Sequence, residues 1–497
     1  MRFAPRLPLI YHGPSLSVRS FSHYGELLSV NPRPSGFSNN ALPDTKGLRR
    51  LTAQDLATHT TPPKNVNVLV RDFIHDALYN PNYGYFSHQA TILSSTEPYE
   101  FNRIRSSKKF DDLVAGACDV GNEGAVPGSG VLGRQLWHTP VELFQPWYGR
   151  AIAQCLTSEY LLNHFPYEDF IIFELGGGNG TLAGNVLDFL QLEYPDVYER
   201  TRYHIIEISP RLASLQRLKL KHHTSCLEIA NKSIFEWDEI VPLPCYFVAL
   251  EVIDNFAHDM IRYHLSTLEP YQALIVTTED GDYEEVYEPL SDPLLQKYLT
   301  LRTKAGHVSP LQSSRFLQRL RATLPFAPNL SRPEFVPTHL LSFLEILRDK
   351  FPLHRLLLSD FSSLPDTIDN GAINAPVVQT RVGNAMVPCS TYMVQPGYFD
   401  IFFPTNFDEL QNMYELTMAL PRKSMPEEGI SVTTPRLDSN FFSRNWRASP
   451  VDVSSYTGRR VFSHRDFLYK YGNVEATTLR NGENPMLDYY KNVKFLF

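Results

Sequence analysis

Cysteine is scarce: the 497 residues hold five, at Cys118, Cys155, Cys226, Cys245 and Cys389, an odd number with no C-x-x-C pair. That spacing argues against a disulfide framework and against a zinc ribbon. No run of eighteen apolar residues occurs, so no transmembrane helix is expected. H-E-x-x-H, G-x-S-x-G and a Gly-Lys-Ser/Thr phosphate loop are also missing. Zinc-protease, α/β-hydrolase and Walker-type chemistry therefore have no support. Positive charge is in deficit as well: 46 Lys+Arg against 54 Asp+Glu give a net charge of −8. This is the wrong sign for a general binder of nucleic-acid backbone.

What is present is enough for a large core. Hydrophobic residues make up 43% and charged residues 20%, which rules out wholesale disorder. The length suits about three domains or one elaborated enzyme fold, and 37 prolines favour many short elements. Residues 1–25 carry Arg2, Arg6 and Arg19 and no acid before Glu26. A mitochondrial presequence has that bias, since import pulls on positive charge. Pro5, Pro8 and Pro14 interrupt any amphipathic helix there, and leave a tail with chance arginines as the alternative.

The spacing of apolar residues predicts a helix over 66–79, ended by Asn80-Pro81 and an aromatic turn Tyr83-Gly84-Tyr85-Phe86. Residues 88–130 read as loop. Thr139-Pro140-Val141-Glu142 is a capping box opening a helix towards Phe165, which Pro146 should kink or delay in its start. Strands are expected at 170–173, 203–208, 246–253 and 354–361, with helices from 181 to 192, 209 to 220, 290 to 305 and 336 to 350. Alternation of this kind means βαβ units and a parallel sheet, an α/β fold. Residues 271–288 read as an antiparallel hairpin about Asp280-Gly281, inserted in the sheet order. The expected division is a presequence and linker at 1–60, an N-terminal helical lid region at 61–165, a core at 166–420 with an insertion at about 262–350, and a C-terminal extension at 421–497.

The sharpest signal is Glu174-Leu175-Gly176-Gly177-Gly178-Asn179-Gly180-Thr181, placed between a strand and a helix. Alternating glycines let the backbone turn tightly and lie against a ligand. A dinucleotide fingerprint would need its third glycine at 181, which is Thr. Glu174, Gly176, Gly178 and Gly180 instead fit the E-x-G-x-G-x-G loop that holds S-adenosyl-L-methionine. That cofactor has no phosphate, so backbone and an acid suffice at its aminoacyl end. A plain glycine-rich turn is the bland alternative. Gly128-Ser129-Gly130-Val131-Leu132-Gly133 matches G-x-G-x-x-G literally but follows a loop, and is rejected as a cofactor site.

Glu207 closes the second strand, where a carboxylate can accept from both ribose hydroxyls; a solvated strand-end charge is the alternative. Glu251 and Asp254 end the third strand, and burying two acids there needs a cation, from a substrate or from the protein. His222, His223 and Cys226 lack a fourth ligand at metal spacing. Trp137, Trp147 and Trp237 read as core.

Taken together, these segments resemble the MidA-like methyltransferases, the family of the mitochondrial complex I assembly factor that symmetrically dimethylates an arginine. The likeness runs over about residues 64–497. It includes Ala77–Phe86, Glu174–Thr181, Tyr203–Ser209 with Leu212 and Gln216, Glu251 and Asp254, Asp400–Leu410 and Asn484–Leu487. It implies a Rossmann-like class I methyltransferase sheet using S-adenosyl-L-methionine, bound by Glu174, Gly176, Gly178, Gly180 and Glu207. It further implies a type II protein arginine N-methyltransferase of the mitochondrial matrix with Glu251 and Asp254 as catalytic residues, acting on a respiratory-chain or other mitochondrial protein without metal. Departures fall at Gly177 and Asn179 in the loop, Leu250 before Glu251, Phe256-Ala257, and Asp360-Phe361-Ser362. They keep open a catalytically weak assembly factor or chaperone, and methylation of RNA or a small molecule is a third option.

Overall fold

A computed structural model describes residues 47–88, 90–92, 97–120, 135–137, 139–307, 330–369, 371–382, 385–422 and 461–497. The presequence, the Gly128–Gly133 string and residues 423–460 lie outside them.

Its centre is a seven-stranded sheet. In chain order the strands are β1 Phe170–Leu175, β2 Thr201–Ile206, β3 Leu227–Ala230, β4 Cys245–Leu250, β5 His354–Phe361, β6 Val461–Ser463 and β7 Val493–Leu496. Their spatial order is β3-β2-β1-β4-β5-β7-β6. Strands β1 to β5 pair in parallel, and β7 runs antiparallel to both of its neighbours. This is the Rossmann-like α/β sheet expected, and its order reverses between β1 and β4. Open sheets bind ligands outside the carboxyl ends of the strands at that crevice.

Strands buried on both faces must be apolar on both. Phe170, Ile172, Tyr246, Val248 and Leu357 face one core, shared with the helices Trp147–Asn163, Thr181–Glu193 and His464–Tyr471. Ile171, Phe173, Phe247, Leu356 and Leu358 face a second, against the helices Thr338–Lys350 and Phe407–Ala419. Each such side chain withdrawn from water contributes about 1.5–3 kcal/mol.

A third core lies under a separate six-stranded sheet. Here several expectations need correcting. Residues 66–69 are a strand, and the helix starts only at Val70, because Val66–Leu69 pairs with Leu274–Thr277. The hairpin about Gly281 forms, but in this second sheet and not within the main one. Residues 49–50 pair alongside Val66–Asn67, and Thr52 with Asp55 builds a capping box, so the chain is structured before residue 61. Ser107–Val120 is helical where a loop was expected. The segment taken for a C-terminal extension supplies β6 and β7 to the main sheet. At Pro146 the second of the two expected outcomes holds: Pro140–Leu143 is a single turn, and the long helix is delayed to Trp147–Asn163.

Candidate active site

The turn after β1 is bare backbone. Gly176, Gly178 and Gly180 have φ of 69°, 53° and 77°, the left-handed region that side chains avoid. Gly180 N–H closes the turn on the Gly177 carbonyl at 2.8 Å, and the helix Thr181–Glu193 follows at once. A Cβ on Gly177 would come within 2.7 Å of Ile205 Cγ2 on β2. The second glycine of the run is therefore matched to a bulky neighbour.

Two acids flank this turn. Glu174, 5% exposed on β1, accepts from Tyr203 Oη at 2.8 Å. Burial pushes its carboxyl up to about 7, with Glu207 adding to the rise. Glu207, 3% exposed after β2, accepts from Ser209 N–H at 2.9 Å and from Gln216 Nε2 at 3.0 Å. Burial raises it too, against those hydrogen bonds. Gln216 Nε2 also donates to the Gly178 carbonyl at 2.8 Å, so one amide ties the turn to the strand-end acid. Gln216 Oε1 is buried with no partner.

Across the crevice, four carboxylates gather at the ends of β4 and β5. Glu251 has φ of 54°, an uncommon conformation for a side-chain-bearing residue, and its N–H bonds the Ser359 carbonyl at 2.8 Å. Asp360 Oδ2 accepts from Val252, Ile253 and Asp254 N–H at 3.2, 3.0 and 3.2 Å. Asp400 accepts from Asn255 Nδ2 at 3.0 Å. Loss of water raises all four, and like charge adds to it for Glu251 and Asp254; Asp360 and Asp400 reach about 7. Among the described residues none of the four has an ion-pair partner. Tyr79, on the helix Val70–Tyr79, donates to the Asn255 carbonyl at 3.2 Å and brings the N-terminal segment onto this cluster.

The structure thus brings Glu174, Gly176, Gly178, Gly180 and Glu207 around one turn, and Glu251 with Asp254 at the next strand end. Asp360, Asp400, Gln216 and Glu142 were not picked out as site residues. Asp360 and Asp400 belong to segments that resemble the family, yet they lie 107 and 145 residues along the chain from their partners Ile253 and Asn255 after β4. His223 is occupied by Tyr198 Oη at 2.8 Å and Asp188 at 3.1 Å. No group of three or more His, Cys, Asp or Glu able to hold a metal occurs among the described residues, nor a helix long and apolar enough to cross a membrane. Trp237 is 8% exposed in the second core.

Comparison with known proteins bears on the same region. A family profile described as "Putative S-adenosyl-L-methionine-dependent methyltransferase" matches residues 151–422. The protein arginine methyltransferase NDUFAF7 homolog, mitochondrial, of Schizosaccharomyces pombe is 24% identical over 332 residues, 63% of this chain and 67% of that one. A COG1565 superfamily crystal structure from Burkholderia thailandensis, bound to S-adenosyl-homocysteine, has 14% identity and TM-score 0.44, covering 71% of this chain and 72% of its own. A second, native structure from that organism has 15% identity and TM-score 0.38, covering 62% and 75%. The matched profile spans more than half of the chain and contains the glycine turn with both flanking acids, so the chain belongs to the S-adenosyl-L-methionine-dependent methyltransferases.

Proposed function

We propose that this enzyme is a type II protein arginine N-methyltransferase of mitochondria, forming symmetric dimethylarginine on a respiratory-chain or other mitochondrial protein. The observation that carries it is the cluster of half-buried Glu251 with buried Asp254, Asp360 and Asp400, which has no ion-pair partner among the described residues. Placing like charges in a dry site is costly until a cation compensates them, and a guanidinium fits two carboxylates through paired hydrogen bonds. The name of the fission-yeast relative supports the same acceptor and compartment.

The turn suits the cofactor on the structure's own terms. Gly178 holds a left-handed backbone with no Cβ, Gln216 Oε1 is a buried acceptor without a donor, and Glu207 offers a carboxylate at the strand end. In this reading Glu174, Gly176, Gly178, Gly180 and Glu207 hold the cofactor. When bound, it supplies an electrophilic methyl group on a sulfonium. Glu251 and Asp254 would orient the acceptor guanidinium and localise its charge on the nitrogens away from the methyl; as the facing nitrogen bonds to that methyl, the carbon–sulfur bond breaks to leave S-adenosyl-homocysteine, and one of the two carboxylates would take the proton the nitrogen gives up. Alignment in a site closed to water provides most of the acceleration. Tyr79 and its helix cover the acceptor side, the lid role assigned to the N-terminal region.

Incubation of the purified chain with tritiated methyl donor and mitochondrial extract tests this. Label recovered as symmetric dimethylarginine, lost in Glu251→Ala and Asp254→Ala, is the expected result. Cofactor binding without transfer in wild type and variants alike would favour the assembly factor, and label on RNA or a small molecule would move the acceptor class.

A further inference from the structure

Glu142 carries a sequence signature it does not use. In a capping box the third-position acid bonds back to the cap residue's N–H. Thr139 Oγ1 does accept Glu142 N–H at 3.3 Å, but no reciprocal bond is made. The carboxylate is turned instead onto the glycine turn. Its Oε1 accepts from Asn179 Nδ2 at 3.1 Å and from Thr181 Oγ1 at 2.6 Å. Thr181 Oγ1 in turn accepts from Lys219 Nζ at 2.6 Å. The other oxygen, Oε2, is buried with no hydrogen-bond partner, on a residue only 4% exposed.

A buried carboxylate oxygen without a donor costs more than a neutral group in the same position. Lys219 compensates part of the charge through space but is committed to Thr181, and burial depresses its own basicity. The one-turn helix Pro140–Leu143 does not need the acid for its start, since Thr139 already caps it. A donor arriving from outside the chain would remove the deficit, and the turn to which Glu142 is tied is the one that faces the cofactor in the reading above.

We propose that Glu142 is a cofactor-binding residue, with Oε2 receiving the ammonium of the aminoacyl end after a small side-chain shift. The proposal rests on the placement of the cofactor at the glycine turn and adds a residue from outside the βαβ core. It makes the segment before Trp147 part of the binding site. Its ligand is a cation class, an α-ammonium, which separates Glu142 from Glu207 at the sugar.

Calorimetric titration of the full chain with S-adenosyl-homocysteine and with 5′-methylthioadenosine, the nucleoside half lacking the amino acid, tests it. Glu142→Gln keeps an acceptor oxygen for Asn179 and Thr181 and removes the charge. It should weaken S-adenosyl-homocysteine about tenfold or more, as loss of a charge-assisted hydrogen bond does. Methylthioadenosine should change by less than about twofold. Thr181→Val, which breaks the strut itself, should weaken both. Equal loss of both ligands in Glu142→Gln, or no loss of either, overturns the proposal. A wild-type chain that binds neither ligand overturns the reading of the turn, and this assignment with it.

Discussion

Asp360 Oδ2 receives the backbone N–H of Ile253 at 3.0 Å, and the two neighbouring N–H groups share the same oxygen. One side chain of β5 therefore sets the turn that follows β4. That turn starts at Glu251 in its left-handed conformation and carries Asp254. Asp360→Ala would leave three donors without an acceptor, two of them buried at roughly 1–3 kcal/mol each if unrelieved. We expect a chain that melts well below wild type. Asp360→Asn keeps an acceptor oxygen, so it should melt closer to wild type while losing methyl transfer. Equal melting of wild type and Asp360→Ala would contradict the role assigned to this carboxylate.

Gly178→Val tests the glycine turn. A β-branched residue at φ of 53° is strained by at least about 1–2 kcal/mol. Its side chain would also occupy the surface that the cofactor needs. S-adenosyl-homocysteine affinity should fall by about a hundredfold or more, with the circular dichroism spectrum retained. Unchanged affinity would move the cofactor elsewhere.

Glu207→Ala distinguishes sugar from amino acid. It should weaken S-adenosyl-homocysteine and methylthioadenosine alike, unlike Glu142→Gln, because both ligands carry the ribose. Retained affinity for methylthioadenosine would show that Glu207 serves only Ser209 and Gln216.

The acid cluster fixes a sign for pH. Asp400 and Asp360 titrate near 7 in the folded chain against an ordinary 3.8. Their contribution to stability is full below about pH 4 and is lost as pH rises through about 7, because the folded state holds protons that the unfolded state releases. Asp400→Asn keeps an oxygen for Asn255 Nδ2 and removes one charge. It should melt above wild type at pH 8, by a gap on the order of 1–4 kcal/mol, and the gap should close towards pH 5. A gap that widens on acidification would refute the electrostatic account.

Acceptor binding should carry a proton signature. A guanidinium entering the cluster favours the ionised carboxylates, so protons leave the protein on binding. Titration of an arginine peptide in buffers of different ionisation enthalpy, near pH 7, should report net proton release. Its absence in wild type would separate the acceptor site from these four acids.

The glycine turn was legible in the sequence because its demands are local: positive φ, a strand before it and a helix after it, each with its own pattern. Four of the five parallel strands were equally plain, since burial on both faces makes Phe170–Phe173 and Leu356–Leu358 continuous apolar runs; the half-buried edge strand Leu227–Ala230 was not expected. The second sheet was not. Val66–Leu69 carries apolar spacing that fits a helix or a strand, and only its distant partner Leu274–Thr277 decides between them. The hairpin at Gly281 showed its turn chemistry but not the sheet it would join. Thr139 caps the helix start as expected, but Glu142 does not complete the box, because a tertiary contact takes its carboxylate. Asp360 and Asp400 reach β4 only through the completed fold.

Strand β7 sits between β5 and β6, more than a hundred residues downstream of β5 along the chain. The sheet beneath the catalytic crevice is thus sealed by a segment that leaves the ribosome long after the glycine turn. A premature stop ahead of Val493 would strip β5 of its outer neighbour and expose an unpaired edge, inviting aggregation. A nascent chain in that state would present its glycine turn on an unfinished scaffold.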